Sequence, residues 1–301
     1  MLGPGPILLI GNNGQVGYEL QQTLAPLKPV IGLDRTRLDL TDADAIRRII
    51  RDTKPSVIVN AAAYTAVDKA ESEPELAFTV NAIAPGVMAE EAARLDVPLI
   101  HYSTDYVFDG RKTSPYVESD ATNPQSVYGK SKLAGEQAIQ AVDLPHLILR
   151  TSWVYGSRGK NFLLTMLRLA REREELKVVA DQMGTPTSCR SIANATAIML
   201  DGWDEGKSGT YHLTCAGETS WHGFAQAILR FYEAQRVAYD WLPLRVHAED
   251  IVAIPTADFP TAAARPAYSV MNNTKILLAF QISMPLWSEA LSAVVRELRM
   301  S

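Results

Sequence analysis

Cysteine is scarce, with two in 301 residues, Cys189 and Cys215. Two thiols cannot build a disulfide framework or a four-cysteine zinc site, so both are expected to be reduced and inert, in the cytoplasm. A surplus of positive charge is also missing. Lys+Arg 29 against Asp+Glu 34 leaves a net charge of −5, and no basic cluster stands out, which argues against a nucleic-acid partner. No apolar run reaches the roughly 18 residues that a membrane span requires, so no membrane partner is expected. The opening Met1-Leu2-Gly3-Pro4-Gly5-Pro6 has no basic segment and breaks any helix before the apolar run at Ile7, unlike a signal peptide. What remains is 47% hydrophobic and 21% charged. That composition suits a soluble globular chain and excludes disorder, collagen and coiled coil. The length favours two domains or one large α/β domain.

The first half alternates short apolar runs with helical patterns. Strands are expected at Ile7–Ile10, Val30–Leu33, a short Arg37–Asp39, Ser56–Asn60, Leu99–Ser103 and His146–Arg150. Most are apolar throughout rather than alternating, as in strands covered on both faces. Helices are expected over Gln15–Leu24, Asp42–Asp52, Pro74–Leu95 and Tyr128–Ala141, with a capping box of Thr41 and Asp44 opening the second. This alternation predicts an α/β fold with a doubly wound parallel sheet. The rhythm changes after Tyr155. Helices are expected at Asn161–Glu175, Ser191–Leu200, from a Ser220 cap to Ala234, and at Trp287–Leu298; strands at Leu176–Val179 and Thr210–Thr214. Residues 254–266 carry three prolines and read as a long loop. Residues 1–155 are assigned to a nucleotide-binding domain and 156–301 mainly to a smaller α/β substrate-binding domain, with later segments returning to the first.

Gly11-Asn12-Asn13-Gly14-Gln15-Val16-Gly17 follows the first strand and opens the first helix. Glycine permits a tight turn and lets backbone approach a pyrophosphate lodged at a helix N-terminus. In that context the segment predicts dinucleotide binding; a plain glycine-rich turn is the alternative. Asp34 ends the second strand, where a carboxylate accepts hydrogen bonds from an adenosine ribose and favours NADH. Arg35 and Arg37 follow, and either suits the 2′-phosphate of NADPH, so both cofactors stay open. Asp39 and Leu40 fall at the adenine edge, and Asn60-Ala61-Ala62-Ala63 ends a strand with small residues that leave room for a cofactor.

Tyr128 and Lys132 are four apart and share a helix face. A free phenol has a pKa of about 10, and a neighbouring ammonium stabilises the phenolate. Ser103 and Thr104, at the end of the fifth strand, are both eligible to hydrogen-bond a carbonyl oxygen. His101 lies inside that apolar strand and is read as a satisfied core histidine rather than a base.

The glycine pattern, the Tyr-x-x-x-Lys pair and the hydroxyl residue resemble the extended short-chain dehydrogenase/reductase superfamily, with a Rossmann-like fold. Longer segments narrow the resemblance to the dTDP-4-dehydrorhamnose reductase family: 59–71, 101–110, 127–136, 150–155, 181–187 and Arg265-Pro266. The resemblance implies NADPH- or NADH-dependent reduction of the 4-keto group of dTDP-4-dehydro-L-rhamnose, the last step toward dTDP-L-rhamnose. It implies Thr104, Tyr128 and Lys132 as the catalytic set. Gly11, Gly14, Gln15, Val16, Gly17, Asp34, Asp39, Leu40, Ala62, Ala63, Tyr64 and Thr65 become cofactor contacts, joined by Tyr128 and Lys132. Thr104, Asp105, Trp153 and Arg265 become substrate contacts. Tyr64 stands where the family often has His, which a backbone contact tolerates. Some members bind Mg²⁺ through a glutamate at a dimer contact, where this chain has Arg190. A guanidinium cannot ligate a cation, so no metal is expected, and the chain is expected to be a monomer or a homodimer. Two other readings stand beside the reductase. One is another nucleotide-sugar epimerase or dehydratase; the other is a non-catalytic NADP-binding regulatory subunit.

Overall fold

The apolar runs of the first half owe their continuity to burial on two faces. In the computed structural model, which describes residues 2–298, Ile7 and Leu9 of the first strand enter one core and Leu8 and Ile10 the other. Side chains alternate between faces, so a strand covered on both sides is apolar at every position.

In chain order the elements are β1 Ile7–Ile10, α1 Gln15–Leu24, β2 Val30–Leu33, α2 Ala43–Thr53, β3 Val57–Asn60, α3 Val67–Ala70, α4 Pro74–Phe78, α5 Ala84–Leu95, β4 Leu99–Thr104, α6 Val127–Gln140, β5 His146–Thr151 and β6 Val154–Tyr155. They continue with α7 Phe162–Glu172, β7 Lys177–Val179, β8 Met183–Gly184, β9 Thr187–Ser188, α8 Cys189–Asp201, β10 Gly209–His212, β11 Thr219–Ser220, α9 Trp221–Arg236, β12 Val252–Ile254, α10 Thr274–Phe280 and α11 Trp287–Arg296. The main sheet has the order β10-β5-β4-β3-β1-β2, and every pairing in it is parallel. The α/β, doubly wound sheet read from the sequence is the fold observed. From β1 the chain first extends to β2 on one side and then to β3 on the other. That reversal opens a crevice at the carboxyl ends of the strands.

One face of the sheet is covered by α1, α8 and α10, and the other by α2, α5 and α6. A separate core gathers Tyr155, α7, α9 and α11 around Trp241 and Val246. Residues beyond 155 therefore contribute both to this core and, through α8 and β10, to the main sheet and its cover. Among the described residues no helix is long and apolar enough to cross a membrane.

Several local expectations are corrected. Arg37–Asp39 is a turn rather than a strand, because Asp34 and Asp39 each fold the chain back onto the threonine two residues on. Helix α2 is capped by Asp42, which accepts from the Ala45 amide at 2.8 Å, and not by Thr41. The helix expected over Pro74–Leu95 is divided by a π-turn at Thr79–Ile83. Pro85 is the physical reason. It has no N–H to return to the carbonyl four residues back, so the ladder widens ahead of it. The stretch 254–266 holds only the end of β12 and a short 3₁₀ turn at Thr256–Asp258, and α10 was not anticipated.

Candidate active site

A cleft of about 850 Å³ runs along the carboxyl ends of the strands. At one end lies the glycine turn. Gly11 has φ +86°, and a Cβ there would stand 2.8 Å from the Ala62 amide nitrogen, so the turn after β1 and the segment after β3 meet as bare backbone. A Cβ on Gly17 would be 2.0 Å from the Gly11 carbonyl oxygen. Gly17 therefore shapes the turn from behind, outside the cleft lining, whereas Gly11, Gly14, Gln15 and Val16 line it. No side chain caps α1 and its first turn carries no acid. An anion at its amides would thus meet neither a competing cap nor a repelling charge.

Asp34, Asp39 and Leu40 border the same end. Thr36 donates to Asp34 from both its amide and hydroxyl, at 2.9 and 2.6 Å, and Thr41 does the same to Asp39 at 3.0 and 2.9 Å. These bonds hold both carboxyls below the ordinary aspartate range. The two arginines part company here. Arg35 lines the cleft, while Arg37 donates to the Gly32 carbonyl at 2.9 Å.

Ala62, Ala63, Tyr64 and Thr65 form the next stretch of wall. Asn81, projecting from the π-turn, accepts from the Tyr64 amide at 2.9 Å and donates to the Tyr64 carbonyl and to Ser131 Oγ, each at 3.0 Å. Sequence reasoning missed Asn81, and the overlooked signal was Pro85. The Tyr64 hydroxyl donates to Glu73 at 2.8 Å.

Thr104, Tyr128 and Lys132 all line this cleft. Thr104 closes β4. Ser126 caps α6 by accepting from the Gly129 amide at 3.1 Å, which sets Tyr128 in the first turn and Lys132 one turn on. A Cβ on Gly129 would stand 2.3 Å from the Tyr106 carbonyl oxygen, so glycine lets α6 abut the chain that follows Thr104. The Thr104 hydroxyl donates to Asp105 Oδ1 at 2.9 Å. Burial pushes the Tyr128 phenol up to about 12, against the pull of Thr104 and with the Asp105 carboxylate adding to it. Burial pushes the Lys132 amine down to about 8, with Glu136 opposing. Burial also raises Asp105 to about 6, with Ser269 and Thr104 opposing. Ser103 Oγ and Thr151 Oγ1 are buried in the wall without a partner among the described residues.

Trp153 borders the far end, its backbone at φ +47°. Its ring stacks on Trp221 with centroids 3.6 Å apart and planes 7° apart. Trp221 opens α9 and no local motif announced it. Arg265 does not join the cleft lining. It donates to Asp68 at 2.7 Å and stands 5.9 Å over the Tyr106 ring. Arg190 is paired with Glu19 and Glu297, and among the described residues no three His, Cys, Asp or Glu side chains are grouped to hold a metal.

The family model described as RmlD substrate binding domain matches residues 5–300. A dTDP-4-dehydrorhamnose reductase of Burkholderia thailandensis is 50% identical over 298 residues, covering 97% of this chain and 98% of its own. A solved dTDP-4-dehydrorhamnose reductase from Clostridium acetobutylicum superposes with a TM-score of 0.89 at 39% identity, over 98% of this chain and all of that one. One from Bacillus anthracis, solved in complex with NADP, gives 0.87 at 34% identity over the same shares. On this evidence the chain belongs to the RmlD family of oxidoreductases, the dTDP-4-dehydrorhamnose reductases.

Proposed function

We propose that the chain reduces the 4-keto group of dTDP-4-dehydro-L-rhamnose to give dTDP-L-rhamnose, with NADPH or NADH as reductant. One observation carries this reading. Thr104, Tyr128 and Lys132 line the same cleft as a bare-backbone glycine turn at an uncapped helix. The relatives' shared name supplies the substrate.

The residues fit a dinucleotide. The glycine turn and the α1 amides would receive its pyrophosphate, the Asp34 carboxylate an adenosine ribose, and Arg35 a 2′-phosphate where one is present. When bound, the nicotinamide supplies the hydride that the carbonyl carbon accepts. The Tyr128 phenol donates to the ketone oxygen as it gains charge, and the Thr104 hydroxyl would turn its single proton from Asp105 to that oxygen as well. A phenol held at about 12 stays protonated at neutral pH, so Tyr128 is loaded as the general acid for the alkoxide. Lys132, buried behind it, steadies the phenolate left after donation. The Trp153–Trp221 stack offers a flat apolar wall for a sugar face, and Asp105 offers an acceptor to its hydroxyls.

The test is NADPH or NADH oxidation at 340 nm with enzymatically generated dTDP-4-dehydrorhamnose, for the wild type and for Tyr128→Phe. The reading expects oxidation by the wild type and a large loss in the variant with cofactor binding intact. Cofactor binding without turnover would instead favour a regulatory subunit.

A further inference from the structure

The segment that leads from β6 into α7 crosses to α1, and the chemistry above does not use it. Asn161 caps α7 by accepting from the Leu164 amide at 3.0 Å, and α7 buries Leu163, Met166 and Leu167 in the second core. The Asn161 NH₂ donates to Gln15 Oε1 at 2.8 Å and to the Gly156 carbonyl at 2.9 Å. Gln15 in turn donates to the Lys160 carbonyl at 3.3 Å. Tyr18, three residues further along the same helix face, has the Arg158 guanidinium 3.9 Å from its ring centroid. Gly159, at φ +77°, has no Cβ at a point that lies 3.1 Å from Gln15 Cγ. The segment thus clasps the first turns of α1 from outside the nucleotide-binding layer.

This clasp has two consequences. It occupies the Gln15 side-chain amide, so the anion at the uncapped start of α1 is left the Gln15 backbone N–H. It also fixes the backbone of Lys160 beside that first turn, and Lys160 lines the cleft together with Gly14 and Gln15.

Charge balance shows what Lys160 is suited to. The cations lining the cleft are Arg35, Lys69, Lys132 and Lys160. Lys69 is paired with Glu73 at 2.7 Å, and Lys132 is buried on α6. Arg35 follows Asp34, at the ribose end. Lys160 is exposed, and its ammonium has no carboxylate within ion-pair distance among the described residues. A pyrophosphate carries a negative charge on each phosphate, whereas a helix N-terminus offers roughly half a positive charge. A full cation beside that terminus makes up the difference. We infer that Lys160, placed by the Asn161–Gln15 clasp, is the counter-charge for the pyrophosphate of the bound dinucleotide. The pyrophosphate is common to NADPH and NADH, so Lys160 strengthens both alike, whereas Arg35 discriminates between them.

The inference rests on the dinucleotide reading of the glycine end, and its test needs no keto-sugar. NADPH, NADH and ADP-ribose are titrated by calorimetry into the wild type, Lys160→Ala and Lys160→Arg. Lys160→Ala should weaken all three by one common factor of roughly tenfold, the low end for a charge-assisted hydrogen bond because the side chain is exposed. Lys160→Arg should keep most of the affinity, and the loss in Lys160→Ala should shrink as salt is raised. Asn161→Ser keeps a cap for α7 but does not reach Gln15. In that background Lys160→Ala should cost less than it does alone, and an equal cost would overturn the clasp. A loss confined to NADPH would place Lys160 at the 2′-phosphate. Unchanged nucleotide affinity with a raised KM for the keto-sugar would place it at the substrate's phosphates. Either result overturns the inference while leaving the dinucleotide reading intact. A folded wild type that binds none of the three ligands would overturn both.

Discussion

The two ends of the cleft are built by different means. The glycine end is made from neighbours in sequence: Gly11 to Gly17 as one turn, and Asp34 and Asp39 each locked by a threonine two residues on. Its geometry is backbone geometry, dictated by which residues tolerate a positive φ or a close approach. The far end is made of side chains brought from distant elements, Trp153 beside β6 against Trp221 at the start of α9, with Asp105 just after β4. The difference teaches that the proposed cofactor end can be built from short local turns, while the proposed substrate end depends on side chains that packing brings together from distant elements. The first should tolerate changes in α9 and α11, though not at the start of α7, where Asn161 donates to Gln15 at 2.8 Å; the second should not.

The largest expected effect is at Thr104. Thr104→Val removes one donor to the ketone oxygen and should lower kcat by roughly 10²–10³-fold, about 2.7–4 kcal/mol, with NADPH affinity unchanged. Steady-state kinetics alongside cofactor titration separates the two.

Next is Asp105, whose burial raises its carboxyl from 3.8 to about 6. The folded state then holds this proton more tightly than the unfolded chain. The resulting stabilisation is complete below pH 3.8 and is lost as pH rises through 6. Relative to Asp105→Asn, the wild type should lose on the order of 2–3 kcal/mol of unfolding free energy across that window. Denaturant melts of both proteins at several pH values measure the difference.

The glycine end is sharpened by its two arginines. Arg35→Ala should weaken NADPH against NADH by about 1.5–3 kcal/mol, as expected for losing a charged hydrogen bond. Arg37→Ala, whose guanidinium is already engaged with Gly32, should leave the ratio of the two cofactors' kcat/KM unchanged. The smallest effect belongs to the far end. Trp221→Ala removes the support beneath Trp153, worth about 0.5–1.5 kcal/mol, and should raise KM for the keto-sugar without altering cofactor affinity.

The same contrast explains what the sequence disclosed. The parallel sheet was legible because strands buried on both faces are apolar at every position. The glycine turn, the helix carrying Tyr128 and the Tyr128–Lys132 pair were legible because each lies within one turn or one helix face; the Ser126 cap was not read. The π-turn at Thr79–Ile83 was overlooked although Pro85 signals it. With it went Asn81, whose partners Tyr64 and Ser131 sit on other elements. Trp221 and the contacts of the buried His101 ring, 3.1 Å from Asn60 Nδ2 and 3.0 Å from Lys132 Nζ, carried no local signal. Their meaning arises from strand register and from contacts between segments far apart in sequence. His101 is the buried, satisfied histidine that its apolar strand suggested, and strand register shows which group on β3 satisfies it.

The most direct measurement of the central claim follows the hydrogen itself. NADPH deuterated at the transferable position of the nicotinamide is incubated with the protein and dTDP-4-dehydrorhamnose, and the sugar product is examined by NMR. The account predicts one deuterium at C4 of dTDP-rhamnose, formed in step with cofactor oxidation and lost to the same extent in Tyr128→Phe. Deuterium elsewhere on the sugar, or a product formed without oxidation of the cofactor, would contradict it.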